Sequence, residues 1–395
     1  MAASKAPALR LLRPLERTLR GGHPWIYREA LEAHDHPPGT EVRVLSRKNE
    51  LLGRGLTESG AIAVRLFTTR DEALGRDFFT RRFAAAFDLR RLVVPERTSA
   101  YRLCHGEGDR LPGISADHYG AEAGSFAVLR IDGEGAQAVA TQLIDPFVEQ
   151  LSVFFGEAPK GVLLRIGRSG HAPELVYGEP PPDRVTVEEH GMKLVGDLWR
   201  GQKTGLFLDH RESRRLVRSL ADGRRILNLY GYTGGFSVAA GLGNASAVTT
   251  VDVAPAAIEL AEASWRANAL SNSHRAVCSD VRTFLTDDDG VYDLIVSDPP
   301  SFAPNERSVP AALDAYERLH ADCLRRLVPG GLFIAASCSS HVRGLTFDRT
   351  VLDGARRAGR VLQLLQRSGA PVDHPRLLAF PEGDYLDVVV ARALD

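Results

Sequence analysis

The sequence has no long apolar run, and this absence removes a first class of proteins. No apolar stretch approaches the roughly 18–20 residues that a membrane-spanning helix needs. The first 20 residues are basic, but they lack the apolar core and the small-residue cleavage site of a secretory signal. We therefore expect a cytoplasmic protein that has no membrane partner.

Cysteine is also scarce. The four cysteines, Cys104, Cys278, Cys323 and Cys338, are scattered and form no C-x-x-C pair. This spacing argues against a zinc site and against a disulfide framework, so we expect reduced thiols and no metal.

A strong charge of either sign is missing as well. The formal net charge is −1, so the molecule as a whole gives no sign of a nucleic-acid partner. Locally, residues 1–70 carry 12 basic against 7 acidic side chains, and residues 200–218 carry six against two. Such faces can bind phosphate backbones, although a charge run is more often simply solvated.

The pattern of short apolar segments predicts three domains in the 395 residues. Residues 1–70 read as short strands and turns, which favours a small β-barrel. Residues 71–184 mix helix and strand and predict a central α+β domain that ends in a proline-rich linker. Residues 185–395 open with a β-hairpin and then alternate strand and helix, which predicts an α/β, Rossmann-like parallel sheet covered on both faces.

Seven strands are predicted in the last domain, with helices between them. The strands are placed at residues 226–230, 247–252, 276–280, 292–298, 332–338, 362–368 and 385–393. The helices are placed at residues 235–241, 255–269, 281–285, 310–327 and 347–358.

A glycine-rich turn follows the first of these strands. Gly231, Gly234 and Gly235 let the backbone pass close to a ligand before a helix begins. Asp252 lies 21 positions beyond Gly231, the spacing at which an acidic group reaches ribose hydroxyls. NAD-binding proteins share this pattern, so the turn alone does not identify the ligand.

The residues after the later strands distinguish S-adenosylmethionine from NAD as the expected ligand. Asp280 follows the third strand, where it can accept from an adenine amine, and Asp298 opens a rigid Asp-Pro-Pro turn after the fourth strand. Ligands of open α/β sheets bind at this edge. The series favours a methyltransferase that uses S-adenosylmethionine, although each acidic residue could instead only cap the following helix.

Cys338 is predicted to end the fifth strand, across from Asp298. C5 of cytosine or uracil becomes nucleophilic only after a thiolate adds to C6, and Cys338 is placed to supply that thiolate. A protonated Asp298 could then donate to N3 of the base. Phe302 could stack on a base flipped from the RNA. The alternatives are that Cys338 and Phe302 only pack.

Several motifs together resemble the bacterial 23S rRNA cytosine-C5 methyltransferases, which combine a PUA domain, a central domain and a class I methyltransferase domain. The resemblance covers nearly the whole chain. It rests on HPWIYR (residues 23–28), YRLCHGEGDRLPGISADHYG (101–120), EEHGMKL (188–194), GQKTGLFLDHRESR (201–214), LNLYGYTGGFSVAA (227–240), SDPPSFAP (297–304), SCSS (337–340) and DHP (373–375).

The resemblance implies S-adenosylmethionine as cofactor and 23S rRNA as the partner, and it leaves a homodimer open. It assigns the cofactor to seven residues, namely Phe207, Asp209, Asn228, Tyr230, Tyr232, Asp252 and Asp280. The glycine-rich turn adds Gly234 to the expected cofactor site, and the Asp-Pro-Pro turn adds Asp298. The catalytic residue that it implies is Cys338. The residues at the strand ends add Asp298 as a second catalytic residue, and Pro299, Pro300 and Phe302 as expected substrate contacts.

The chain departs from the family's pattern at three positions. His210 stands where a member of the family has glutamine, Ser301 where it has lysine, and Asn228 where an acidic residue is common.

Other functions stay open at this point. The chain could methylate another RNA position, such as guanine N7, or a protein, with Cys338 merely packed. It could also be a catalytically degenerate RNA-binding protein, which would bind no cofactor. An NAD-dependent dehydrogenase is disfavoured because nothing resembles an acid–base pair for hydride transfer.

Overall fold

A computed structural model of the chain describes residues 6–167, 172–339 and 341–395. The last residue of the SCSS motif, Ser340, and the first five residues lie outside this part. Within these three ranges no helix combines the length and the apolar character needed to cross a membrane.

Contacts between residues divide the chain into two compact units. The first unit comprises Met1–Val185, Asp197–Phe207 and Val372–Gly383, and the second comprises Thr186–Gly196, Leu208–Pro371 and Asp384–Asp395. Two short segments from the carboxyl-terminal half thus fold with the amino-terminal half. The division into three domains made from the sequence stays a proposal.

The first unit contains ten strands and four helices among its described residues. The strands are β1 (Ala8–Arg10), β2 (Trp25–Tyr27), β3 (Glu41–Leu45), β4 (Leu51–Thr57), β5 (Ile62–Thr68), β6 (Ala100–His105), β7 (Ile114–Ala121), β8 (Gly124–Ile131), β9 (Gly161–Ile166) and β10 (Glu174–Gly178). The helices are α1 (Glu16–Arg20), α2 (Arg76–Val93), α3 (Glu134–Ala138) and α4 (Ala140–Phe155).

These strands form two five-stranded sheets. The first sheet has the order β1-β3-β4-β5-β2, and the second has the order β10-β9-β8-β7-β6. Alternating burial along β3, where Val42 and Val44 face the core, shows why this segment is a strand with one covered face. Phenylalanines at helical spacing on α2, such as Phe83 and Phe87, pack against Phe147 of α4. Each such buried ring contributes about 1.5–3 kcal/mol.

The first unit also encloses a charged group. Arg90 is 1% exposed and donates to both carboxylate oxygens of Asp109, at 2.8 and 2.7 Å. Its remaining bonds reach the carbonyl oxygens of Ala86, Arg102 and Asp373. Because all five guanidinium N–H groups have acceptors, the desolvation of the charge is compensated.

This network continues on the other side of Arg102. The guanidinium of Arg102 pairs with Asp117, and its Nε lies 2.6 Å from Oδ1. Asp117 in turn accepts from Thr204 Oγ1 at 2.6 Å. Tyr119 and Thr204 hydroxyls lie 2.8 Å apart. We call the set of Arg90, Arg102, Asp109, Asp117 and Asp373 the buried polar cluster. Through Thr204 and Asp373 it holds the two late segments of the chain in the first unit.

The second unit contains nine strands and six helices among its described residues; the first strand begins one residue earlier, at Val185. The strands are β11 (Val185–Glu189), β12 (Met192–Gly196), β13 (Arg225–Leu229), β14 (Ala247–Asp252), β15 (Ser273–Cys278), β16 (Tyr292–Ser297), β17 (Leu327–Ser337), β18 (Leu362–Ser368) and β19 (Asp387–Ala393). The helices are α5 (Arg211–Leu220), α6 (Gly235–Leu242), α7 (Pro255–Ala267), α8 (Val281–Asp287), α9 (Val309–Arg325) and α10 (Leu345–Ala358).

Seven of these strands form one sheet in the order β15-β14-β13-β16-β17-β19-β18. The first five are parallel to one another, and β19 pairs antiparallel with both of its neighbours. Near-continuous apolar runs, as in β16 and β17, are typical of parallel strands covered on both faces. The predicted Rossmann-like fold class is confirmed by this sheet.

The structure corrects several predicted details. The third strand begins at Ser273 and ends at Cys278, so Cys278 is its last residue, and β17 ends at Ser337, one residue before Cys338. The expected basic face at residues 200–218 is partly internal. Arg211 is fully buried, and Arg214 forms a buried pair with Glu189, with Nη2 2.6 Å from Oε2.

Candidate active site

The carboxyl ends of β13 to β17 meet at one edge of the seven-stranded sheet. Register pairs Asn228 with Thr250 and with Val296, and Asp252 with Cys278. Five side chains predicted from the sequence therefore lie at or just after the ends of neighbouring strands, and we call this set the carboxyl edge. It consists of Asn228, Asp252, Asp280, Asp298 and Cys338.

The glycine-rich turn at this edge is tightly packed and strained. A Cβ at Gly231 would lie 2.4 Å from the Thr250 methyl group, and one at Gly234, where φ is +74°, would lie 2.8 Å from Ala261. Tyr230 and Tyr232 also have positive φ, 56° and 44°. Residues other than glycine rarely adopt this conformation, and such strain concentrates at functional sites.

A row of buried polar groups lies beneath this turn. Asn228 Nδ2 donates to Ser237 Oγ at 2.9 Å, and Ser237 continues to Thr250 Oγ1 at 2.6 Å. Thr250 in turn contacts His274 Nε2 at 2.8 Å. Asn228 is fully buried, yet its Oδ1 has no hydrogen-bond partner among the described residues. A buried acceptor left open in this way needs a further explanation, and a ligand donor is one.

Asp252 and Asp280 hold the backbone at their strand ends. Asp252 accepts from the amides of Tyr232 and Ala254, both at 2.9 Å. Each carboxylate oxygen keeps a second lone pair, so Asp252 can still accept from ribose hydroxyls. Asp280 caps α8, with Oδ1 2.9 Å from the amide of Arg282. The helix-cap role considered for Asp280 is therefore real, and it leaves the second oxygen available.

Cys338 directly follows β17 and is half-buried. Its neighbours tie the loop to the Asp-Pro-Pro turn, because Ser339 Oγ donates to the Ala303 carbonyl at 3.3 Å. Tyr316, from α9, has its hydroxyl 3.0 Å from Ser337 Oγ. Burial, together with the charges of Cys338 and Asp298, raises the pKa of Tyr316 to about 12.

The four thiols occupy different environments. Cys104 and Cys323 are fully buried, and burial raises the pKa of both thiols above the ordinary value. Cys278 is exposed at the end of β15. Cys338 is the half-buried thiol among the four, so it combines access with a defined position.

Asp298 has a partner that sequence reasoning missed. His210 Nε2 lies 3.1 Å from Asp298 Oδ2, and the side chain of Asp298 is 19% exposed. The His210 ring is buried and packs edge-on against Phe236, with ring centres 5.3 Å apart. Its Nδ1 has no hydrogen-bond partner in the described ranges. Before the structure, His210 stood out only as a departure from a family pattern.

The remaining predicted residues are placed as follows. Pro299 is buried, Pro300 is exposed, and Phe302 is half-buried with its ring centre 4.7 Å from that of Tyr316. Phe302 therefore packs against the core with part of its surface, and its contact with a substrate base stays a prediction. Asp209 is buried and accepts from the hydroxyl of Tyr385 at 2.8 Å.

Phe207 is the last residue of the segment Asp197–Phe207, which folds with the first unit. The ammonium group of Lys203 lies 4.2 Å from the centre of its ring. Across residues 6–167, 172–339 and 341–395, no group of three or more His, Cys, Asp and Glu side chains is arranged to hold a metal ion.

Comparison with known proteins shows to which class of protein this geometry belongs. Residues 127–380 match the family described as S-adenosylmethionine-dependent methyltransferase, and residues 9–69 match a PUA-like domain. A provisionally assigned SAM-dependent methyltransferase from Streptococcus mutans has the same fold, with a TM-score of 0.84 and 24% identity. The alignment covers 98% of this chain and all of that one.

Two curated relatives are closer in sequence. Ribosomal RNA large subunit methyltransferase I of Erwinia tasmaniensis is 33% identical over 397 residues, which cover 96% of this chain and 97% of that protein. A ribosomal RNA large subunit methyltransferase of Deinococcus radiodurans is 34% identical over 413 residues, and 98% of each chain is covered.

The sheet, the strained glycine-rich turn and the acidic strand ends define an S-adenosylmethionine-dependent methyltransferase of the Rossmann-like kind. More narrowly, the chain belongs to the family that joins a PUA-like domain to this catalytic domain and includes the relatives named above. The resemblance, the fold class and the cofactor predicted from the motifs are confirmed.

Proposed function

We propose that the protein methylates C5 of a cytosine in 23S rRNA through a covalent adduct with Cys338. The coarser part, methylation of large-subunit ribosomal RNA, is supported by relatives of that name that match over nearly the full chain. The finer part depends on one observation, the half-buried thiol of Cys338 at the end of β17, beside the strand that carries Asp298.

The residues at the glycine-rich turn fit S-adenosylmethionine. When bound, this cofactor supplies an electrophilic methyl group on a sulfonium. Asn228 offers the open acceptor Oδ1, and Asp252 offers two lone pairs for the ribose hydroxyls. The proposed cofactor site also includes residues already described at the turn, the strand ends and the preceding segment, namely Phe207, Asp209, Tyr230, Tyr232, Gly234, Asp280 and Asp298.

The target cytosine would be flipped out of the RNA stack, at a cost of a few kcal/mol, to reach Cys338. Pro299 and Pro300 form the wall of the turn beside it, and Phe302, held on Tyr316, would line the same pocket. The two prolines fix the backbone of this wall, which keeps Asp298 in place relative to the thiol.

The chemistry then follows from the reactivity of the base. The Cys338 thiolate forms a bond to C6, and the electron pair of the C5–C6 double bond becomes available at C5. C5 takes the methyl group, a base removes the C5 proton, and the C6–S bond breaks to return the thiolate. Each bond formed to sulfur is broken again, so the enzyme is unchanged at the end.

Asp298 is positioned to hold a proton at N3 of the base during the addition. Its Oδ2 faces His210 Nε2, so Oδ1 remains for the substrate. In this scheme the protonated carboxyl group of Asp298 donates to N3, while His210 orients it. His210 thus acts through Asp298 and is a positioning residue in this scheme.

The proposal is tested by transfer of a labelled methyl group to 23S rRNA, followed by digestion of the RNA to nucleosides. Wild type and Cys278→Ala should give label in 5-methylcytidine, and Cys338→Ala should give none. Label in 7-methylguanosine, or activity that survives in Cys338→Ala, would reject the thiol mechanism. An absence of both label and cofactor binding would indicate a degenerate RNA-binding protein.

A covalent trap gives a second readout. RNA that carries 5-fluorocytidine at the target accepts the methyl group, but fluorine cannot leave as a cation, so the adduct persists. Wild type should therefore form a complex that survives denaturing electrophoresis, whereas Cys338→Ala should form none. A stable complex with the Cys338→Ala variant would place the nucleophile elsewhere.

A further inference from the structure

A cleft of about 150 Å³ in the first unit is lined almost entirely by polar side chains. Four of them are guanidinium groups, and we call the site the arginine pocket. Its arginines are Arg70, Arg81, Arg82 and Arg110. Thr68 and Glu72 complete its polar lining.

The charges in the arginine pocket are not balanced. Glu72 is the one acidic residue of the lining, and it pairs with Arg81 at 2.9 Å. None of Arg70, Arg82 and Arg110 forms an ion pair with a carboxylate in the part of the chain that the structure describes. The pocket therefore presents an excess of three positive charges in a concave space.

Arg82 is held in place by contacts other than an ion pair. Its Nη2 donates to the Phe67 carbonyl at 3.3 Å, and its guanidinium lies 4.9 Å above the ring of Phe78. Burial, together with the charge of Arg110, lowers the pKa of Arg82 to about 10. An anion in the pocket would offset these effects, because an opposite charge favours the charged form of Arg82.

Arg110 is fixed from the other side. It has a left-handed backbone, φ 57° and ψ 38°, at the end of the short helical turn Gly106–Asp109. Asp109, the residue before it, is bound to Arg90 in the buried polar cluster and accepts from the His105 amide at 2.6 Å. The buried pair thus holds a strained turn in the conformation that brings Arg110 to the pocket.

We propose that the arginine pocket binds a phosphodiester group of the substrate RNA. Planar guanidinium forks match phosphate oxygens in geometry, and several of them converge here on one concave site. The inference rests on the proposed RNA substrate, and it adds a contact made by the first unit, on the border of the PUA-like residues 9–69 and helix α2. A free inorganic phosphate is the competing source of the same chemistry.

The test compares the paired variant Arg70→Gln/Arg110→Gln with the wild type. Both side chains are exposed, so the fold should survive, and calorimetric binding of S-adenosylmethionine checks that it does. The matched control is Arg76→Gln/Arg91→Gln, which removes the same charge from exposed positions on α2 outside the pocket. Arg76 and Arg91 pair with Glu149 and Asp88.

RNA affinity is measured for all three proteins with a 23S rRNA fragment at several salt concentrations. Each phosphate contact contributes about 0.7–0.9 to the slope of log K against log salt. We expect the pocket variant to lose about one to two from this slope and to bind roughly tenfold more weakly at low salt. The control should follow the wild type.

Equal slopes for the pocket variant and the wild type would overturn the proposal, as would an equal loss in the control. Inorganic phosphate, titrated at constant ionic strength, tests the competing source. Phosphate binding that depends on Arg70 and Arg110, combined with unchanged RNA affinity, would make the pocket a free-anion site and reject the RNA contact.

Methyl transfer by the wild type separates this proposal from the preceding one. If the wild type binds RNA through the pocket but transfers no methyl group to 23S rRNA, the proposed function fails while the phosphate contact stands. If methyl transfer occurs and the pocket variant binds RNA as the wild type does, the phosphate contact fails alone.

Discussion

The buried polar cluster of the first unit and the carboxyl edge of the second unit differ in how completely their buried polar atoms are hydrogen-bonded within the protein. In the cluster, every N–H group of Arg90 reaches an acceptor inside the protein. At the edge, Asn228 Oδ1 is buried without a hydrogen-bond partner among the described residues, and so is Nδ1 of His210, the partner of Asp298. A saturated network holds a structure, whereas an incomplete one is prepared for a ligand.

Removing the centre of the saturated network should have the largest effect. Arg90→Met leaves the Asp109 carboxylate buried without its partner, and we expect a loss of about 3–5 kcal/mol in the free energy of unfolding. Urea unfolding measures it. The exposed neighbour Arg91→Met is the control and should change stability by less than about 1 kcal/mol. A loss below 1 kcal/mol in Arg90→Met would mean that the cluster is not structural.

Acid should lower the free energy of unfolding of both units, because each unit contains a buried histidine whose pKa is lowered. Burial lowers the pKa of His118 to about 3 and that of His320 to about 4, against about 6.5 when unfolded. Below pH 6.5 the unfolded chain takes up protons that the folded chain does not, so stability falls with pH, by about 1.4 kcal/mol per unit for each histidine.

Single replacements isolate this effect. Between pH 6.5 and 5, His118→Gln and His320→Gln should each lose about 2 kcal/mol less stability than the wild type loses. Urea midpoints at the two pH values give the comparison. Parallel losses in the wild type and both variants would show that these histidines do not sense acid.

Changes at the incomplete network should affect activity and leave stability nearly intact. His210→Leu removes the partner of Asp298, and we expect kcat for methyl transfer to fall roughly tenfold, about 1.4 kcal/mol. His210→Gln keeps a donor and should restore most of the rate. A rate in His210→Leu equal to the wild type, or an equal loss in both variants, would remove His210 from the mechanism.

The smallest effect is expected at Asp280, which caps helix α8 and is also proposed to bind the cofactor. Asparagine is as good a helix cap as aspartate, so Asp280→Asn should keep stability and weaken S-adenosylmethionine binding only a few-fold. Asp280→Ala should lose about 1 kcal/mol of stability in addition. Calorimetry and thermal unfolding separate the two. Unchanged cofactor affinity in both variants would leave Asp280 as a cap alone.

The catalytic sheet could be predicted because its signals are local. Apolar runs of strand length alternate with helical spacing, and β14 and β18 have the predicted bounds, Ala247–Asp252 and Leu362–Ser368. The polar residues at the strand ends follow from the same alternation, since parallel strands bring their carboxyl ends to one edge. Asp252, Asp298 and Cys338 were located in this way.

What was missed depends on contacts between distant parts of the chain. The three-residue strands β1 and β2 are too short for any periodicity to appear. Tyr316 and Tyr385 reach the site from elements whose patterns indicate only a helix and a strand. The arginine pocket draws on β5, α2 and the turn after β6, and no spacing in the sequence joins these segments.

The interleaving of the two units has a consequence for folding during synthesis on the ribosome. Asp373, which accepts from Arg90 and from the amide of Arg102, is translated 283 positions after Arg90. At roughly 5–20 residues per second, the amino-terminal half waits tens of seconds for this segment. Its charged interior therefore closes only after this segment has been translated, and until then Arg90 and Asp109 lack the Asp373 carbonyl that completes their surroundings.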